Sequence, residues 1–181
     1  MPSLDPAIYG TENLYSSCSV VGGTLARLIL LIGLPGSGKS SLAQWLLQET
    51  PGRYLISTDG IRAVLFGDEA TQGSWLTVWQ EVGRQFRETV GQIQRGEVEA
   101  AIYDATNVVR KQRREAIALA REAGFTDITG IWLNVPLGLC LQRNQQRDRQ
   151  VPDDIIHRMS CCLHNAPPSE QEGFDRLIEI T

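Results

Sequence analysis

Lysine is almost absent from this 181-residue sequence, where Lys39 and Lys111 stand against fifteen arginines. A positive surplus is absent as well, since the formal net charge is −4. That balance argues against a protein that holds nucleic acid by a broad basic surface, while leaving room for a local groove. Paired cysteine is missing too. Cys18, Cys140, Cys161 and Cys162 show neither metal-ligand spacing nor a disulfide framework, which suits reduced thiols and a cytoplasmic location. His157 and His164 lack carboxylate or cysteine partners at ligand spacing and read as ordinary surface or helix residues. Long hydrophobic runs are also lacking. The most apolar stretch, Leu25 to Leu34, is interrupted by Arg27 and runs straight into glycines, so it reads as a buried strand and no membrane association is expected. Residues Met1 to Thr24 have no basic region ahead of an apolar run, as a signal peptide would need, and no helical or strand period. The expected division is a loose N-terminal extension, 1–26, and one folded domain, 27–181.

What is present alternates. Apolar runs of strand length at Arg27–Ile32, Tyr54–Ser57, Ala100–Tyr103, Ile128–Leu133 and Arg176–Ile180 are separated by segments of helical period. The helices are expected at Lys39–Gln48, Gly60–Leu65, Trp75–Arg95, Lys111–Ala123, Leu137–Gln146 and Pro152–Leu163. This is the pattern of an α/β fold, a parallel sheet flanked by helices on both faces. In the third helix Trp75, Val78, Trp79, Val82, Phe86, Val90 and Ile93 recur at spacings of three and four, predicting one apolar stripe against the sheet. Gly124 stands where a helix C-terminus wants positive φ, and Pro152 where a first turn tolerates a missing N–H.

Between the first strand and the first helix lies Gly33-Leu34-Pro35-Gly36-Ser37-Gly38-Lys39-Ser40, the spacing of a phosphate-binding P-loop. The glycines let backbone amides turn toward an anion, and the following helix adds the positive end of its dipole. One of the two lysines falls on the position the loop demands. Lys39 is expected at the β- and γ-phosphates of a nucleoside triphosphate, and Ser40 at a Mg²⁺ ion bridging them. Gly33, Pro35, Gly36, Ser37, Gly38, Lys39, Ser40 and Ser41 are the candidate ATP-binding residues, and the chain is expected to have the P-loop NTPase fold.

The other candidates follow strand ends, which border the ligand crevice in open parallel sheets. After the second strand come Asp59 and Arg62, a carboxylate suited to accept a hydroxyl proton and a guanidinium suited to an anionic acceptor. Asp59 equally suits a cap for the helix that follows, paired with Arg62. After the third strand, Asp104 sits where a Walker-B-like acid organises Mg²⁺ or the acceptor, and Thr106 and Asn107 suit either acceptor contacts or turn residues. After the fourth strand, Arg143 and Arg147 are one helical step of four apart and can clamp a transferring phosphate, or simply form a solvated face.

Taken together, Gly-Leu-Pro-Gly-Ser-Gly-Lys-Ser-Ser, Ser-Thr-Asp-Gly-Ile-Arg, Asp-Ala-Thr-Asn and Arg-Asn-Gln-Gln-Arg, followed by Val151-Pro152 and Arg158-Met159, resemble the kinase domain of the polynucleotide kinase family. The resemblance covers about Leu28 to Thr181. It implies ATP and Mg²⁺, transfer of the γ-phosphate to a 5′-hydroxyl end of RNA or DNA, and Asp59 as general base. It further implies Arg62 on the acceptor's phosphate, Asp104 with Thr106 and Asn107 on the acceptor side, and Arg147 in a lid with Arg143 nearby. No Asp-x-Asp-x-Thr phosphatase motif occurs. Gly60 replaces the family's common second acidic residue, so the acceptor subsite is expected to differ. Two alternatives remain at this level: a kinase of a small hydroxyl metabolite, nucleotide sugar or antibiotic, and a nucleotide-dependent binding module.

Overall fold

The computed structural model describes residues 25–67 and 73–181; most of the expected extension lies outside them. Five strands form one sheet, β1 (Arg27–Ile32), β2 (Arg53–Ser57), β3 (Ala100–Asp104), β4 (Asp127–Leu133) and β5 (Arg176–Ile180). Their order is β2-β3-β1-β4-β5, every pairing is parallel, and so all five carboxyl ends lie along one edge. The intervening helices are α1 (Lys39–Glu49), α2 (Thr58–Phe66), α3 (Trp75–Gln94), α4 (Arg110–Ala123), α5 (Leu137–Gln145) and α6 (Asp153–Asn165). A short 3-10 turn, Glu170–Glu172, precedes β5.

Strand alternation divides the core in two. Leu28, Leu30 and Ile32 pack with α2, α3, α4 and α6 on one face, while Ile29 and Leu31 meet Leu42, Ala43 and Leu46 of α1 on the other. The expected sheet with helices on both faces is therefore what forms. Buried on both sides, β1 and β3 have no exposed residue, which is why they read as continuous apolar runs. Phe86 of α3 meets Tyr103 and Phe125 edge-on, with centroids 5.4 and 5.6 Å away. Such contacts contribute about 0.5–1.5 kcal/mol each beyond burial, and these fix α3 to β3 and to the entry of β4.

Three local details depart from the sequence reading. Of the third-helix stripe, Val78, Val82, Phe86, Val90 and Ile93 are buried, but Trp79 is only partly so and Trp75 remains 46% exposed, stacked on Trp79. Helix α2 starts at Thr58, two residues earlier than expected, which puts Asp59 inside its first turn. Pro152 caps α6 from outside the helix. At the domain's start, Ala26 is buried, and its carbonyl accepts from the amides of Thr126 and Asp127. Gly124 closes α4 at φ 110°, as expected.

Candidate active site

The loop after β1 is shaped by its neighbours. Gly33 N–H donates to the Thr106 carbonyl at 3.0 Å, extending the β1–β3 pairing past the end of the sheet. Gly36 has φ 80° and lies against the backbone of Cys140 in α5, where a Cβ would collide with the carbonyl. Only glycine satisfies both conditions. Gly38, at φ 99°, caps α1 without a side-chain bond, so the first amides of the helix are left for an anion.

Lys39 is buried, and its Nζ donates to the Leu34 carbonyl at 2.8 Å. Burial pulls its pKa down to about 8; the negative charge of Asp104 opposes this, and the positive charge of Arg147 adds to it. Ser40 Oγ donates to Asp104 Oδ2 at 2.8 Å. Burial raises the Asp104 pKa, while the Ser40 hydrogen bond and the Lys39 charge act the other way. Among the described residues no three His, Cys, Asp or Glu side chains converge as a metal cage. A hydroxyl and one carboxylate suit Mg²⁺, which takes few protein ligands and keeps waters and substrate phosphates. Ser40 and Asp104 are the residues that would hold it, and the ion would offset charge on the β- and γ-phosphates.

The carboxylate after β2 is not a cap. Ser57 Oγ accepts from Gly60 N–H at 3.3 Å and caps α2, leaving Asp59 outward and half exposed. Arg62 Nη1 donates to Asp59 Oδ1 at 3.0 Å, and Arg149 Nη1 lies 3.4 Å from Oδ2. Arg62 is mostly buried, with its guanidinium 5.8 Å from the Trp75 ring centroid. The Asp59 charge acts on both Lys39 and Asp104, so the three share one electrostatic neighbourhood.

Behind Asp104 the chain is braced. Asn107 adopts φ 50°, and its buried amide donates to the carbonyl of Leu31 at 2.8 Å and of Ala105 at 3.4 Å. Its donors thus tie the post-β3 segment to β1. Thr106 contributes its carbonyl to Gly33, and neither residue caps α4, whose N-cap is Val109. No local pattern in the sequence points to the pair that supports them. Arg113 and Glu172, both fully buried, form a two-point ion pair at 2.6 and 2.7 Å. Arg113 also donates to the carbonyls of Asn107, Val108 and Ala166.

The segment between α5 and α6 carries the remaining arginines. Buried Asn144 closes its base, donating to the Val151 carbonyl at 2.8 Å and accepting from the Val151 amide at 3.0 Å. Arg143 and Arg147 are both exposed, and Arg147 acts electrostatically on Lys39 and Asp104. Arg143 acts on Cys140, whose thiol is pushed up by burial. His157 and His164 are exposed on α6. No helix of the described residues is long and apolar enough to cross a membrane.

Residues 28–161 match a family described as AAA domain. L-seryl-tRNA(Sec) kinase of Methanococcus maripaludis is 29% identical over 136 residues, 73% of this chain and 50% of that protein. The chain thus spans about half the length of that relative. A chain of the Pnkp1/Rnl/Hen1 RNA repair complex aligns with TM-score 0.64 and 20% identity over 88% of this chain and 49% of its own. A gluconokinase from Sinorhizobium meliloti 1021 aligns with TM-score 0.55 and 17% identity, over 87% and 82%. At such identities the two structures share the fold. The family match runs from β1 into α6 and contains every side chain at the mouth of the loop, and on it the chain belongs to the AAA domain family, with a P-loop nucleotide-binding fold.

Proposed function

We propose that this protein is an ATP-dependent kinase that transfers the γ-phosphate to a hydroxyl group, with a 5′-hydroxyl end of RNA or DNA as acceptor. The observation that carries the reading is Asp59, a carboxylate held by arginines within the electrostatic reach of Lys39 and Asp104. A nucleotide-binding module has no need of an acceptor-side acid and arginine beside its phosphate loop. In the proposed step Asp59 takes the hydroxyl proton as the acceptor oxygen bonds to the γ-phosphorus. The bond to the β-γ bridging oxygen breaks, its electron pair stays with ADP, and the proton later leaves Asp59 for solvent. Lys39 and Arg147 offset charge on the phosphoryl group in flight. Similarity to a kinase named for an aminoacylated tRNA supports an acceptor carried on RNA.

The test offers γ-labelled ATP with hydroxyl-ended RNA and DNA oligonucleotides, and in parallel with small polyols and sugars. Label on oligonucleotides supports the reading. Label only on a small compound replaces the acceptor with a metabolite. Asp59→Asn should lower transfer by about 10²–10⁴-fold, the usual contribution of a general base, while ATP affinity holds.

A further inference from the structure

We infer that Arg149 is a latch on the catalytic base, displaced when a substrate phosphate arrives. The inference rests on the kinase reading above and concerns how that site is controlled. Both oxygens of Asp59 face a guanidinium, Oδ1 that of Arg62 at 3.0 Å and Oδ2 that of Arg149 at 3.4 Å. The two arginines are not equivalent. Arg62 is one turn away on the same helix, mostly buried and with its guanidinium 5.8 Å from the Trp75 ring centroid, so it travels with Asp59. Arg149 comes from the connection between α5 and α6, is about one-third exposed, and makes the longer contact. It shares that short connection with Arg147, whose charge acts on Lys39.

With a guanidinium on each carboxylate oxygen, neither Oδ1 nor Oδ2 is open to an incoming hydroxyl. A phosphate beside Arg149 competes with Asp59 for it, because its paired non-bridging oxygens match the guanidinium fork. Arg149 then moves from Asp59 Oδ2 to phosphate oxygen, leaving Oδ2 open to the acceptor hydroxyl. The base is released only when phosphate is in place. The displacing phosphate is the acceptor's own, since the donor's γ-group is in place before any acceptor and would open the latch too early. With the latch closed, water at the donor meets an occupied base, so hydrolysis without acceptor is suppressed.

Arg149→Gln tests this. ATP hydrolysis without acceptor is measured alongside transfer in the wild type, Arg149→Gln, Arg149→Lys and Asp59→Asn/Arg149→Gln. The expected result is about a tenfold rise in hydrolysis for Arg149→Gln, partial return with lysine, and loss of the rise when Asp59 is also replaced. Acceptors with and without a phosphate next to the hydroxyl show whether that phosphate is what draws Arg149 away. A KM increase in Arg149→Gln confined to the phosphate-bearing acceptor is the expected result, and an equal change for both acceptors would overturn the latch. If the wild type transfers phosphate but hydrolysis does not rise in Arg149→Gln, the latch is wrong and the kinase reading stands. If no hydroxyl accepts phosphate while hydrolysis still rises, the acceptor reading fails and the latch survives. Equal melting temperatures exclude a folding defect as the cause.

Discussion

Ser40 and Asp104, 64 residues apart in sequence, meet through a hydrogen bond of 2.8 Å at the carboxyl edge of the sheet. The serine belongs to the helix that follows β1 and the aspartate ends β3, so the contact joins two neighbouring strands at the point where the phosphate loop turns. It also gathers the oxygen donors that a small hard cation needs.

Replacing Asp104 with asparagine keeps the hydrogen-bond geometry and removes the charge. We expect about a 10–100-fold loss of Mg²⁺-dependent transfer, the usual cost of disturbing a metal's immediate support, with ATP binding less affected. A Mg²⁺ titration of kcat in Asp104→Asn and Ser40→Ala checks this. Unchanged metal dependence in both variants would assign the ion to other ligands.

Lys39 carries a proton-linked signature. The folded protein releases its proton near pH 8, whereas the unfolded chain holds it to about 10.5. Below pH 8 a charged ammonium is therefore buried at the full cost, on the order of 3 kcal/mol as an upper bound. Lys39→Met should raise stability at pH 7, and its advantage should shrink as pH rises from 8 to 10.5. Thermal unfolding across that window reads the sign directly.

The same displacement makes nucleotide binding take up protons. A triphosphate beside Lys39 restores its affinity for a proton, so binding at pH 8.5–9 should draw protons from solution, with little uptake at pH 6.5. Calorimetry in two buffers of different ionisation enthalpy measures the number. Proton release at pH 9 would contradict this account of Lys39.

Arg113→Ala leaves Glu172 as a buried, unpaired carboxylate and strips three carbonyls of their donor. Breaking such a pair costs about 3–5 kcal/mol, whereas replacing both partners by apolar residues of similar volume is often close to neutral. Denaturant unfolding of Arg113→Ala and of Arg113→Met/Glu172→Leu should separate these values. Because Arg113 holds the segment containing Asn107, the single variant should also weaken ATP binding.

Asn144→Ala removes a two-point contact with Val151. Leaving those backbone groups unsatisfied costs about 1–3 kcal/mol, and the damage should be local to the α5–α6 connection. Faster amide exchange at 146–151 with slow exchange retained in β1 and β3 is the expected pattern. Transfer should fall with it, since Arg147 and Arg149 lose their anchor.

How far the sequence carried these conclusions depended on the range of the physics involved. The glycine loop, the alternation of strands and helices, and the placing of Asp59 and Asp104 at or just beyond strand carboxyl ends were legible, because glycine spacing and apolar period are local signals. The cap of α2 was not, since Ser57 and Asp59 are equally good caps and only the backbone selects between them. Trp75 shared the apolar period of its helix, yet period reports direction and not the reach of the sheet beneath it. Arg113 and Glu172 are 59 residues apart, and neither announces a partner in its own neighbourhood. Arg149 looked like one more charge in a basic run until the fold set it against Asp59.

The close approach of Gly36 to the Cys140 carbonyl has a mechanical consequence. Backbone touches backbone there, without a side chain to act as a cushion. The loop after β1 and the root of α5 are therefore expected to behave as one piece, like a hinge plate fixed to its frame. Under the kinase reading proposed above, any movement that carries Arg147 and Arg149 is therefore expected in the span beyond Asn144, with the loop and α5 holding still.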